Sequence, residues 1–300
     1  MTFRPFFRRG LARGLAGTLL LASLAVHAVA RDTSSVWVMK GAKNTVYLAG
    51  SVHALPPEHA DLPPQLERAY AASRAVVMEV DLDDMDPLEA VQFVTSRGTL
   101  PEGETLGDVI GADGYAKVTK LAATLEVPEA VVSKLEPWAA AMVLTQFALM
   151  KTGYDPQLGI DMQLVARARN DGKPVDGLET VIDQLGIFDG RSVDEQKKFL
   201  LESTDDAPKL SDDLHRLIIA WRAGDLKALE KELSKERQTA PGLYDELLGV
   251  RNRKWLPKIE ALLDSDQDVL VVVGALHFVG HDGLLELLTK AGHKPVPLGQ

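Results

Sequence analysis

The sequence predicts an α/β protein: a central mixed sheet built from both ends of the chain, with a helical insertion as its cap. Three observations carry this. A tetrad occurs twice, as Gly50-Ser51-Val52-His53 and as Gly274-Ala275-Leu276-His277. Each copy closes a short apolar run rich in β-branched residues, 45–49 and 269–273, of the kind that forms a buried parallel strand. The long stretch between them has helical spacing. A helix and a second strand follow each tetrad, at 64–73 and 75–80 in the first case and at 282–291 and 294–298 in the second. The two ends therefore read as duplicated strand–GxxH–helix–strand units that bring two imidazoles together.

In chain order, residues 1–30 are read as a secretory signal peptide and set aside. Arg4, Arg8, Arg9 and Arg13 form a positive start, 15–26 is an apolar core, and Ala28-Val29-Ala30 is a small-x-small cleavage site. The apolar core is too short for a bilayer, which needs roughly 20 residues. The expectation is one domain over 31–300, periplasmic or secreted, with no membrane attachment after cleavage. The runs 36–39 and 45–49 flank Lys40-Gly41-Ala42-Lys43-Asn44 as a hairpin that starts the sheet. The insertion, about 111–264, carries helix patterns at 112–125, 137–152, 160–171, 192–203, 212–222, 226–238 and 244–263. Breaks fall at Pro128, at Gly153-Tyr154-Asp155-Pro156, at Gly172-Lys173-Pro174 and at Pro241-Gly242. One short strand is expected at 173–176. The charge-dense 227–237 stretch reads as a solvated helix face with pairs such as Lys227/Glu230 and Glu232/Lys235.

Composition excludes several partners and chemistries. Removing 1–30 takes four of 33 basic residues and none of 43 acidic ones, so 29 against 43 leaves a formal charge of −14. That balance disfavours nucleic acid and anionic lipid. With no cysteine there is no disulfide, thiol nucleophile, Cys-based metal site or lipoprotein anchor. The sequence has no HExxH, P-loop, GxGxxG or GxSxG pattern, so the chemistry rests on dispersed residues.

His53 and His277 are the leading candidates, because ligands of parallel α/β sheets bind outside the carboxyl ends of the strands. Gly50 and Gly274 are expected to let the backbone turn tightly there. Glu79 interrupts the apolar strand 75–80, and a buried carboxylate needs a cation to satisfy it. That cation is either a metal or an arginine. Two histidines and a carboxylate at strand ends make a facial ligand set for a divalent ion such as Zn, Mn or Co, with positions open to water.

The chain also resembles the TraB/PrgY/GumN family. The resemblance rests on Gly50–His53 followed by Leu55-Pro56-Pro57, the strand with Glu79, Gly159-Ile160-Asp161, Gly172-Lys173-Pro174-Val175 with Gly177-Leu178-Glu179-Thr180, Arg251-Asn252 with Trp255, and Gly274–His277 followed by Asp282-Gly283-Leu284-Leu285. This family is grouped with the Tiki membrane metalloproteases and, more distantly, with erythromycin esterases and haem-binding ChaN proteins. The first likeness implies a metal-dependent peptidase using His53, Glu79 and His277, acting on a peptide or other acyl substrate. The second implies a metal-free hydrolase in which a histidine activates water. A non-catalytic protein holding a peptide, a polysaccharide fragment or haem is the third reading. Carried over, Arg251 is either an oxyanion donor or an ion pair tying the C-terminal helix to the sheet. Glu179 is a supporting carboxylate, a general base or a helix-start residue, and Asp161 reads as a helix-start residue. His281 sits in a loop near the second tetrad. His59, His215 and His293 read as surface or core residues, and Trp138 and Trp255 as packing. Mass spectrometry of the exported protein should find its N-terminus at or next to Arg31; an intact Met1 species in the membrane fraction contradicts this.

Overall fold

The computed structural model describes residues 34–82 and 86–299, so the expected signal peptide lies outside the described residues. Six strands, β1 (Val36–Lys40), β2 (Thr45–Ser51), β3 (Ala75–Val80), β4 (Val175–Glu179), β5 (Val269–Gly274) and β6 (Val296–Pro297), form one mixed sheet in the order β4-β3-β5-β2-β1-β6. Strands β4, β3, β5 and β2 run parallel, while β1 is antiparallel to both β2 and β6. As the sequence predicts, the sheet draws on both chain ends. The register pairs Ser51 with Gly274, which sets the ends of the two GxxH strands side by side.

Parallel strands buried on both faces need apolar residues throughout, and β5 shows why its run is unbroken. Leu270 and Val272 enter one core, while Val269, Val271 and Val273 enter the other. α1 (Pro64–Ala72) covers the first face with Leu66, Ala69 and Tyr70. The chain then leaves the sheet. Helices α2 (Pro87–Arg97), α3 (Leu106–Ile110), α4 (Ala112–Thr124), α5 (Glu129–Val132) and α6 (Pro137–Lys151) follow. Together with α9 (Val193–Asp206), the middle of this group builds a separate core around Leu106, Val118, Val132, Leu144 and Leu200.

α7 (Ile160–Asp171) returns to the first face beside α1, and α8 (Val181–Asp189) follows β4. α10 (Leu210–Arg222) and α11 (Leu226–Thr239) complete that face with Ile218, Trp221 and Leu229. After α12 (Pro241–Tyr244) comes a π-helical turn, Asp245–Val250. α13 (Arg251–Leu262) and α14 (Leu284–Lys290) then cover the opposite face with Trp255, Ile259, Leu284 and Leu288. Segment 32–300 forms a single compact unit, and no helix among the described residues is long and apolar enough to cross a membrane.

The expected insertion at 111–264 is thus only partly a cap. Its segments α7, α10, α11 and α13 clothe the sheet, because a parallel sheet must be covered on both faces. The strand expected at 173–176 begins at Val175, and Pro174, which has no N–H, contributes only its carbonyl, to Val76 N at 3.0 Å. The helix expected over 244–263 is split by the π-helical turn.

The start of α7 is pressed against the first tetrad. Ile160 N donates to Val52 O at 3.0 Å, and a β-carbon on Gly159 would lie 2.2 Å from His53 O, so only glycine permits the approach. Gly159→Ala should therefore destabilise the protein by about 1–3 kcal/mol in urea unfolding, as overpacking against fixed backbone does. A wild-type midpoint in that variant would show that α7 docks less tightly than this.

Candidate active site

The two tetrads meet as adjacent strand ends, and β3 lies on the far side of β5, bringing Glu79 to the same edge. His53, Glu79, Asp161 and Gln184 line a cavity of about 210 Å3 there, with Met78 and Leu82 as apolar wall. His277 and Arg251 stand directly behind Glu79: His277 Nε2 is 3.6 Å from Glu79 Oε1, and Arg251 Nη2 pairs with Glu79 Oε2. All four residues singled out from the sequence are therefore in one cluster.

The cation that satisfies Glu79 is Arg251. Its guanidinium donates through Nε to Glu179 Oε1 at 2.8 Å, through Nη1 to Leu247 O at 2.8 Å and to His277 Nε2 at 3.2 Å. Nη2 reaches Glu79 Oε2 and, at 2.7 Å, Glu179 Oε1. Four of these contacts are hydrogen bonds, and the fifth, Nη2 to Glu179, is an ion pair. Of the two readings of Arg251, the geometry is that of the ion pair, with the guanidinium turned to acceptors of the chain itself. Glu179 also accepts from Trp255 Nε1 at 3.0 Å. It stands at the end of β4 with both oxygens facing donors. Leu247 lies in the π-helical turn.

The two histidines are held differently. Asp161 Oδ2 can only accept, so His53 Nδ1 donates to it, at 2.9 Å, while Ser51 Oγ donates to Asp161 Oδ1, also at 2.9 Å. Two-thirds of the His53 side chain is open (66 %). Around His277, Asn252 Nδ2 donates to the carbonyls of His277 and Asp282 at 3.1 and 2.8 Å, which turns Asn252 Oδ1 toward the imidazole. His277 Nδ1 donates to that oxygen at 2.6 Å, so its Nε2 carries the lone pair that accepts from Arg251. The His277 side chain is buried (3 %) and packs against Trp255, with ring centroids 4.5 Å apart and planes tilted by 38°.

The electrostatics follow from these partners. The Asp161 carboxylate raises the His53 pKa to about 9 against the opposing effect of burial, and solvent at the open face of the ring screens the pair. Burial lowers His277 to about 3, with Glu79 too weak an opposing influence beside Arg251. Burial alone would raise Glu79, but the imidazoles of His277 and His53, the Arg251 guanidinium and the Gly274 N–H hold it at about 2. The amide of Gly274 donates to Glu79 Oε1 at 2.7 Å.

Gly50 and Gly274 do not serve a tight turn, since neither has positive φ. Gly274 instead leaves a cradle. A β-carbon there would lie 3.3 Å from Glu79 Oε1, 3.5 Å from His53 Nε2 and 3.6 Å from His277 Cδ2. This bears on the expected metal. Of the facial set His53, Glu79 and His277, only the first two turn a donor atom to the cradle. His277 presents a carbon, and its Nε2 is committed to Arg251. A catalytic zinc takes three protein ligands, so the residues as arranged do not fit a divalent ion. Among the described residues no group of three or more His, Asp or Glu is grouped to hold one. What the structure presents there is two donor atoms, His53 Nε2 and Glu79 Oε1, backed by an arginine.

Three residues complete the site that sequence reasoning missed or misread. Asp161 is at the start of α7 as expected, yet its carboxylate serves His53. Asn252 stood beside Arg251 in the sequence without a role of its own. Gln184 donates to Glu79 Oε2 at 3.1 Å; its signal was the capping box Thr180/Asp183, which starts α8 and puts Gln184 in its first turn. His281, His59, His215 and His293 do not line the cavity. Trp255 packs as expected but also donates to Glu179.

The family resemblance is borne out by direct comparison. Residues 35–297 match the TraB/PrgY/gumN family model. The chain belongs to this family. It is 25% identical over 242 residues to YbaP, an uncharacterised protein of Escherichia coli K12, covering 81% of this chain and 87% of that one. The YbaP of Shigella flexneri matches to the same extent. No solved structure matches the chain. The fold and site of this TraB/PrgY/gumN protein therefore rest on its own coordinates.

The shifts set a pH signature. His277 has its folded pKa near 3 against 6.5 unfolded, so its contribution to stability is present above pH 6.5 and is lost as pH falls toward 3. Glu79 contributes the same way, but only below about pH 4.5. His53, raised to about 9, acts oppositely: its contribution is present below pH 6.5 and is lost as pH rises through 9. Of these three groups, only His277 changes its contribution between pH 6.5 and 4.5. Urea unfolding should show stability falling across that window in the wild type and falling less in His277→Gln. Equal slopes in the two proteins would mean that His277 is solvated and titrates normally.

Proposed function

We propose that this chain is an exported hydrolase of acyl compounds in which His53, oriented by Asp161, activates a water held in the Gly274 cradle against Glu79. One observation carries the reading. The position a β-carbon on residue 274 would take lies near an imidazole nitrogen and an ionised carboxylate oxygen, and both of those residues, His53 and Glu79, line the cavity. A water there has an acceptor in Glu79 Oε1 to orient one hydrogen and a base in His53 Nε2 to take the other.

The chemistry runs through residues of the chain alone. Asp161 fixes the tautomer with the proton on Nδ1, leaving Nε2 of neutral His53 as the base. As the water oxygen bonds to the acyl carbon, its proton passes to Nε2, and the resulting imidazolium lies between the negative charges of Asp161 and Glu79. The carbonyl oxygen becomes an oxyanion. Gln184 Nε2, which gives one N–H to Glu79, has a second to offer it. Collapse of the intermediate returns the proton from His53 Nε2 to the leaving oxygen or nitrogen. Arg251 keeps Glu79 ionised throughout, so that carboxylate orients water without competing for the proton.

The purified protein should turn over members of a panel of aryl esters and peptides in the presence of chelator. Turnover should rise with pH toward about 9 as His53 loses its proton. His53→Gln and Asp161→Asn should each lower it roughly 10²–10⁴-fold. Gly274→Ala, which fills the cradle, should lower it as well while the circular dichroism spectrum stays unchanged. Activity abolished by chelator would defeat the metal-free reading, and no turnover across the panel would favour a binding role.

A further inference from the structure

The cavity at the strand ends is built unevenly, and its asymmetry decides what can enter. One side is apolar: Leu82 and Val181, both half-buried, over a floor of Met78 and Val80. The other is His53, whose side chain is largely open. Val181 and Gln184 stand three apart in α8, and residues at that spacing share a helix face. The apolar wall therefore adjoins Gln184, the group offered to the oxyanion, while the leaving atom takes its proton from His53 on the open side. A carbonyl held between these two turns its acyl chain toward Leu82 and Val181 and its leaving group toward solvent.

The volume is about 210 Å3. An apolar cavity of ~150 Å3 takes benzene, so this one holds roughly eight non-hydrogen atoms. The attacking water, the carbonyl carbon and its oxygen are among them, which leaves about five for the rest of the acyl chain. Charge narrows the choice further. Glu79 and Asp161 line the space, and among the described residues no Lys or Arg does. Arg251 stands behind Glu79, turned to acceptors of the chain itself. A carboxylate on the acyl chain would thus be desolvated beside two others, with no guanidinium or ammonium to pair with.

We infer that the site takes a short, uncharged acyl group of at most about six carbons, with Val181 as the residue that sets the chain length. The inference rests on the hydrolytic reading of this cavity and adds the substrate class to it: esters or amides of short alkanoic acids. The alcohol or amine that leaves can be large, because the His53 ring from which it takes its proton faces solvent.

Binding and turnover are read separately on the full chain. Binding follows the His53 imidazole resonances in 1H–13C spectra, assigned by their loss in His53→Gln, as N-methylamides of unbranched alkanoic acids are added. Affinity should rise about fourfold per methylene from acetyl to roughly hexanoyl, as burial of each CH2 requires, and then stop rising. The N-methylamide of succinic acid, which ends in a carboxylate, should bind about tenfold more weakly than the pentanoyl amide, or worse. Val181→Phe should move the break to a shorter chain and Val181→Ala to a longer one. Turnover of nitrophenyl esters of the same acids should break at the same length. Affinity that is flat from acetyl onward, climbs without a break to dodecanoyl, or is equal for succinyl and pentanoyl would overturn the acyl pocket, as would no saturable movement up to the solubility limit. A broken series without turnover would support the pocket and defeat the hydrolysis; turnover without a break would do the reverse. The wild-type series decides the matter even if the Val181 variants fail to fold.

Discussion

The structure depends on keeping two buried carboxylates and one guanidinium together at the edge of a parallel sheet. Glu79 ends β3 and Glu179 ends β4, with side chains only 10 % and 9 % exposed. Either one unpaired would be a buried charge, whose loss of a partner costs about 3–5 kcal/mol. Arg251 answers both from the opposite layer, at the first turn of α13. The π-helical turn leads directly into that position, and its Leu247 carbonyl accepts from Nη1. The ion triad thus specifies the register of a helix on a sheet, and Trp255 and Ile259 of that helix form the core beneath.

Chemistry at the strand ends inherits this constraint. Because Arg251 takes Glu79 Oε2, Glu179 and the lone pair of His277, it neutralises the back of the site and leaves the front to Glu79 Oε1 and His53 Nε2. A guanidinium stays charged at any pH a protein meets, so Glu79 remains an acceptor at neutral pH. The cradle in front of it exists only because residue 274 has no side chain.

Much of this was legible in the sequence where the signal was local. The GxxH tetrads and the apolar runs before them located two strands, and the need of both histidines for one site implied adjacent strand ends, as the pairing of Ser51 with Gly274 shows. Glu79 stood out because a charge in an apolar strand must have a partner. The identity of that partner was not legible. Arg251 lies 172 residues away, and a metal satisfies a carboxylate as well as an arginine does until distances are known. Asp161 was visible only as a helix start, a position many acidic residues take for the helix dipole alone. Its second role needs the contact of α7 with His53, which Gly159 permits and no periodicity reveals. The insertion is more than a cap for a topological reason: β4 inside it belongs to the sheet, and α7 before it packs on a sheet face, whereas α8 after it joins Trp138 in a separate cluster.

Duplication in sequence has not meant duplication in chemistry. Both histidines follow the same tetrad, and each donates from Nδ1 to a side-chain oxygen. That oxygen belongs to a carboxylate for His53 and to a neutral amide for His277, and the first ring is open where the second is buried. Their proton affinities are driven apart, to about 9 and about 3. Two equal imidazoles would compete for one proton and blur both roles. A pair separated in this way can divide them: in the proposed mechanism the first ring exchanges protons with the substrate, while the second stays neutral and accepts from Arg251. The difference traces to two residues outside the repeat, Asp161 on α7 and Asn252 on α13, so the second layer around the tetrads, and not the tetrads themselves, assigns the labour at this site.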